Sequence, residues 1–279
     1  MKFTKMHGIG NDFVMLNCLE NSIPEAELPE LSRKLNDRKF GIGGDGIVLV
    51  LPSSTSDLRM RMFNPDGSEA EMCGNGIRCF AKYAFDRGLF DKTQFDVETA
   101  AGVMSLNLDV VDGKVDTVRV DMGEPHLKRS EIPMLGPDSD QVVAEKLEVG
   151  GRTFEITAVS MGNPHVVIFD QNVREFELER FGPLIENHPS FPARTNVHFV
   201  QVCSPNETVI RTWERGAGIT LACGTGACST VVAGALNGKT GRNVLVHLPG
   251  GDLQIEWTAE NRVLMTGSAT EVFEGEIDL

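Results

Sequence analysis

The chain has 279 residues, 41% hydrophobic and 24% charged, and its 40 acidic against 26 basic side chains leave a net charge of −14. That length suits two modest domains, and the composition excludes a disordered or fibrous chain and a small disulfide-stapled scaffold. The negative balance opposes neutralising a phosphate backbone or docking on an anionic surface, so neither a nucleic acid nor a membrane is an expected partner.

At the start of the chain Lys2 and Lys5 are followed by Gly8, Gly10, Asn11 and Asp12, which interrupt any apolar run before a signal-peptide core could form. No stretch approaches the ~18 apolar residues of a membrane span. Six cysteines are too sparse for a disulfide framework, which makes a reducing cytosol the default compartment. Helical spacing predicts a helix over 27–39, then alternating or β-branched runs predict strands over 47–51 and 58–63. A helix over 74–87, ended by Gly88, precedes strands over 95–98, 103–110 and 115–121. Pro, Gly and acidic residues cluster at 22–30 and at 129–141, and the second cluster, near mid-chain, marks the expected domain boundary. Beyond it come strands over 153–159 and 165–169, a helix over 174–187 disturbed by Pro183, and strands over 197–202 and 208–213. A helix over 224–237, ended by Gly238, and strands over 243–248, 253–257 and 262–266 complete the pattern.

The halves resemble each other. Gly10-Asn11-Asp12-Phe13-Val14 matches Gly162-Asn163-Pro164-His165-Val166 at an offset of 152, and Cys73-Gly74-Asn75-Gly76 matches Cys223-Gly224-Thr225-Gly226 at an offset of 150. Ordered matches at nearly constant offset imply two copies of one domain. The expected fold is α+β: two pseudo-symmetric domains, each a mainly antiparallel sheet or barrel wrapped around a central helix. The expected bounds are 1–125, with a strand at about 270–279 returning to it, and 126–269.

Each long helix begins just after a cysteine, and the glycines at 74, 76, 224 and 226 leave first-turn amides open to an anion. The helix N-terminus also favours a thiolate, so Cys73 and Cys223 are expected to have lowered pKa values and to exchange protons. Cys18, Cys79, Cys203 and Cys228 read as structural. Zinc ligation would need tighter cysteine pairs than the C-x₅-C and C-x₄-C spacings present, so no metal is expected. Two equivalent proton-exchange groups suit inversion of a carbon centre, where one group removes a proton and another returns one to the opposite face.

The segments GIGNDFV, FNPDGSEAEMCGNGIRC, MGNPHVV, ARTNVHFV and WERGAGITLACGTGA, in this order over nearly the whole chain, resemble the diaminopimelate epimerase family. The resemblance implies a cofactor-independent, usually homodimeric isomerase of lysine and peptidoglycan precursor biosynthesis that interconverts L,L- and meso-diaminopimelate between its two domains. It places the catalytic pair on Cys73 and Cys223 and groups that tune them on His165 and Glu214. It puts substrate contacts on Asn11, Asn64, Gly74, Asn75, Asn163, Asn196, Glu214, Arg215, Gly224 and Thr225. Asparagine carboxamides can both donate and accept to an amino-carboxylate, and Arg215 can clasp a distal carboxylate with two parallel bonds. Gly46 stands where many members carry a substrate-contacting glutamine, and Phe273 where some carry a dimer-contact tyrosine. Asn64, in Asn-Pro-Asp-Gly, also reads as a turn residue. Rival readings are a proline or hydroxyproline racemase, which shares the two-cysteine logic, a non-catalytic binding protein of the same fold, and a thiol oxidoreductase.

Overall fold

The computed structural model describes residues 1–19, 22–136 and 141–278. The polypeptide divides into a first unit, Met1–Asp121 with Thr266–Leu279, and a second unit, Met122–Met265. Both boundaries fall a few residues before those read from the sequence. Met122 already bonds through its amide to the carbonyl of Val263, and His126 bridges Ser160, so this stretch belongs to the second unit. The Pro-, Gly- and acid-rich cluster at 129–141 is not a linker where it is described. Ile132 and Met134 pack into the second unit's core beside Phe154 and Phe191, which overrides the polar composition around them.

The first unit contains β1 (Lys2–Gly8), β2 (Asn11–Asn17), α1 (Leu28–Asn36), β3 (Gly46–Leu51), β4 (Leu58–Phe63), β5 (Glu69–Ala70), α2 (Gly74–Asp86), β6 (Gln94–Thr99), β7 (Gly102–Val111) and β8 (Lys114–Asp121). The second continues with β9 (Glu145–Val149), β10 (Arg152–Ser160), β11 (Pro164–Phe169), α3 (Leu178–Glu186), β12 (Asn196–Ser204), β13 (Glu207–Glu214), β14 (Gly218–Thr220), α4 (Gly224–Leu236), β15 (Asn243–Leu248) and β16 (Gly251–Trp257). β17 (Val263–Ser268) crosses the boundary, and β18 (Thr270–Glu276) pairs antiparallel with β1 in the first unit. The fold is α+β and dominated by sheet.

The repeat seen in the sequence is a repeat of topology. In the first unit β1–β2 is antiparallel, β2–β3 parallel, β3–β4 and β4–β5 antiparallel, β4–β6 parallel and β6–β7 antiparallel. The second unit repeats the series with β10–β11, β11–β12, β12–β13, β13–β14, β13–β15 and β15–β16. The registers match as well. Phe13 faces Gly46 and Val48 faces Met62 in one unit, as His165 faces Asn196 and His198 faces Thr212 in the other.

Each unit places its long helix against its sheet. Ile77, Phe80, Ala81 and Ala84 recur at helical spacing along α2 and are fully buried. α4 is apolar almost all round and is buried from Gly226 to Gly234. Gly88 and Gly238 follow the last turns at φ 65° and 63°, the left-handed conformation that ends a helix. Among the described residues no helix is long and apolar enough to cross a membrane.

Candidate functional site

In the first unit the connection after β5 delivers Cys73 to the N-cap of α2. Its extended backbone directs the sulfur back over the first turn, where Sγ accepts the Gly76 amide at 3.4 Å. Asn11, at the start of β2, brings its Oδ1 to 3.8 Å from Cys73 Sγ and accepts from Asn75 Nδ2 at 3.1 Å. The other end of that carboxamide donates to Asp45 Oδ2 at 2.7 Å, so the amide is oriented from behind. Asp12 anchors the same corner, with Arg38 at 2.6 Å and Lys5 at 2.6 Å. Burial would raise the Asp12 carboxyl, but its bonds to Arg38 and Lys5 prevail and hold it at about 2. The structure thus brings Asn11, Gly74, Asn75 and Cys73 together. Asp45, Arg38 and Lys5, which orient them, were not singled out from the sequence, although GIGGDG marked the turn that carries Asp45.

Asn64 lies half-buried in a turn that its own carbonyl closes, accepting the Gly67 amide at 2.9 Å, while its Nδ2 donates to Ser68 Oγ at 3.0 Å. Gly46 has no room for a longer side chain, since a Cβ there would lie 2.9 Å from the Phe63 carbonyl and 2.9 Å from Met62 Cε. Cys79, inside α2, is fully buried, and burial pushes its thiol up to about 12.

In the second unit Cys223 occupies the N-cap position of α4 without a side-chain capping bond, and it is buried and has different neighbours. Thr225 Oγ1 is 3.9 Å from its sulfur. The expectation that the helix N-terminus lowers this thiol's pKa is overturned. Burial first, and then the Glu214 carboxylate, push the Cys223 thiol well above its ordinary value, against the opposing pull of the Gly226 amide and Thr225. First-turn amides supply partial charges, whereas Glu214 supplies a full one in a dehydrated setting. Cys223 is therefore a protonated thiol at neutral pH.

His165 and Asn163 adjoin this thiol. His165 Nε2 is 2.8 Å from Asn163 Oδ1, and Asn163 Nδ2 donates to Thr225 Oγ1 at 3.4 Å. Glu214 Oε1 accepts the Thr220 hydroxyl at 2.5 Å. Asn196 is engaged at both ends, accepting the Arg215 amide at 3.0 Å and donating to the Pro164 carbonyl at 2.9 Å. Arg215 is exposed, with Nη1 on the Ala193 carbonyl at 3.0 Å. The turn bearing it is pinned by the buried Glu186, which accepts the Gly216 amide at 2.9 Å and the Trp213 indole at 2.7 Å.

His198, not singled out from the sequence, lies behind His165, with His165 Nδ1 2.9 Å from His198 Nε2. Its signal was a histidine inside the otherwise apolar run Val197-His198-Phe199-Val200, a place the fold gives to core. Burial, together with His198 and Arg215, drives His165 well below its ordinary pKa, and burial brings His198 to about 3. Both imidazoles are neutral. The ligand atoms of His165, His198 and Cys223 lie within 4.8 Å of one another, a nitrogen and sulfur set that a thiophilic divalent ion could use. Holding an ion between the two rings would first require breaking their mutual hydrogen bond. All six cysteines are free thiols.

A family profile described as diaminopimelate epimerase matches residues 3–128 and 157–272. A diaminopimelate epimerase from Pelotomaculum thermopropionicum is 58% identical over 99% of this chain and 98% of its own. The chain belongs to the diaminopimelate epimerase family. Solved structures share the fold at much lower identity. A PhzF-family phenazine biosynthesis protein from Bacillus anthracis gives a TM-score of 0.72 at 18% identity, covering 100% of this chain and 99% of its own. A probable proline racemase from Agrobacterium radiobacter gives 0.70 at 15%, covering 100% and 93%. Family membership decides against the racemase reading, which rested on the same paired Cys-Gly-x-Gly units.

Proposed function

We propose that the chain epimerises L,L- and meso-diaminopimelate without a cofactor, with Cys73 and Cys223 as the two proton carriers. The observation that carries this reading is the equivalent placement of the two cysteines at helix N-caps in a duplicated fold, combined with their unequal surroundings. Inversion needs one carrier that arrives deprotonated and one that arrives protonated. In one direction Cys223, kept protonated by burial and Glu214, supplies the proton and Cys73 removes one; in the reverse direction the two exchange roles. The open amides at Gly74 and Gly224 are suited to a substrate carboxylate and to the charge that gathers as the α-carbon loses its proton.

Asn11, Asn64, Asn75, Asn163, Asn196, Glu214, Arg215 and Thr225 serve as substrate contacts, and His165 with Glu214 tunes Cys223. We further propose a homodimer joined through β18, where Val272 and Phe273 are 54% and 48% exposed and Phe273 rests edge-on against Phe3. A reducing cytosol suits six free thiols. The test is incubation with L,L-diaminopimelate and chromatographic separation of the stereoisomers. The wild-type protein is expected to reach a mixture with the meso form, and Cys73→Ala and Cys223→Ala each to lose turnover. An unconverted substrate, or a single variant at wild-type rate, would refute the assignment.

A further inference from the structure

The second unit buries a line of polar groups that its fold does not require. The positions equivalent by register to His165, His198 and Thr212 in the first unit are Phe13, Val48 and Met62, all buried and apolar. The same topology therefore closes on hydrocarbon, and dehydrating two imidazoles and a hydroxyl in its place costs free energy that packing alone does not recover.

We propose that His198, set by Thr212, is a positioning residue that fixes the tautomer of His165 and thereby aims the Thr225 hydroxyl at the sulfur of Cys223. This rests on the reading of Cys223 as a proton carrier. The bonds form a chain with one direction. Asn163 Oδ1 can only accept, so His165 Nε2, 2.8 Å from it, carries the ring's hydrogen, and His165 Nδ1, 2.9 Å from His198 Nε2, accepts. His198 thus holds its hydrogen on Nε2, and its Nδ1 takes the hydroxyl hydrogen of Thr212 at 2.9 Å. The Asn163 nitrogen is thereby turned to Thr225 Oγ1 at 3.4 Å, and the Thr225 hydrogen is left to point at Cys223 Sγ, 3.9 Å away. A neutral imidazole has one N–H, so each link dictates the next. Gly226 holds the central ring in place, because a Cβ there would lie 2.2 Å from His198 Cε1 and only a glycine lets the first turn of α4 rest on it. The burial that keeps both rings neutral also prevents a second N–H from reversing the order.

The test combines ring ¹⁵N spectra of the intact protein with steady-state kinetics. In the wild type both His165 and His198 are expected as Nε2–H tautomers. Thr212→Val keeps the volume and removes the hydroxyl. His165 is then expected to lose its single tautomer and kcat to fall roughly tenfold, the scale of one hydrogen bond lost from the transition state. KM should change less than about twofold, because ground-state contacts remain. Thr212→Ser should restore both the spectrum and kcat. An Nδ1–H tautomer of His165 in the wild type, or an undiminished kcat in Thr212→Val, would overturn the proposal. The spectra need no turnover, so a wild-type protein without epimerase activity would defeat the proposed function while leaving the chain of bonds to be decided on its own.

Discussion

Acid should destabilise the second unit through its buried histidines, in a pH range set by His198. Its folded pKa is about 3 against an ordinary 6.5, so the unfolded chain takes up a proton that the folded one refuses. Stability is therefore intact above about pH 6.5 and falls as pH drops from there toward the folded value. At about pH 4.5, roughly two units into this window, His198 alone removes about 3 kcal/mol at ~1.36 kcal/mol per unit. His165, displaced in the same direction, adds to the loss. His247 opposes it. Its pKa is raised by Asp252 and Glu207, so its contribution is fully present below its ordinary value and disappears as pH rises through the folded one. Asp12, held at about 2 against an ordinary 3.8, withdraws its contribution only below this range and belongs to the first unit. Both tryptophans, Trp213 and Trp257, lie in the second unit, so urea unfolding followed by tryptophan fluorescence reports the relevant transition. Replacing His198 by Val, the residue at the equivalent Val48, should flatten the dependence between about pH 6.5 and 4.5 by about 3 kcal/mol. Equal losses in His198→Val and wild type would refute the assignment of the acid sensitivity to this ring.

Gly46→Gln should cost about 1–3 kcal/mol in the first unit because its Cβ meets the Phe63 carbonyl. An unchanged melting temperature would show that β4 yields freely. Arg215→Lys should raise KM for diaminopimelate more than it lowers kcat, since an ammonium cannot form the paired bonds of a guanidinium. Unchanged kinetics would remove Arg215 from the site. Phe273→Asp should convert a dimer to monomers in sedimentation velocity, and a persistent dimer would place the interface away from β18.

What the sequence revealed followed from periodicity. α2 was legible because its apolar spacing ends at Gly88, α4 because its run of small and apolar residues repeats the first-half motif and ends at Gly238, and β7, β8 and β13 because their buried residues alternate. β1 and β2 escaped notice. Lys5 is buried in β1 only because Asp12 and the Gly43 carbonyl receive it, and the turn at Ile9 and Gly10, with φ 47° and 89°, looked like an interruption rather than a hairpin. β18 is acidic and mostly exposed and carries no alternation, yet it forms where a strand at about 270–279 was expected to return to the first domain. The cysteine positions were visible as a repeated motif, but the raised pKa of Cys223 was not, because it depends on burial and on Glu214, nine residues earlier in the chain. His198 was concealed for a similar reason. Its partners, His165 and Thr212, come from neighbouring strands and meet only through register.

The central claim is that two different monoprotic thiols serve the two faces of one carbon, and early-time exchange in D₂O tests it most directly. With L,L-diaminopimelate as substrate, the hydrogen removed stays on the thiol that takes it while the opposite thiol delivers a solvent-derived deuteron. Mass spectrometry of the separated isomers, before equilibrium, should find the meso product labelled at the inverted carbon and the remaining L,L-substrate unlabelled. Product that retains the substrate's protium, or label appearing equally in both isomers from the start, would show that a single carrier serves both faces and would contradict the account.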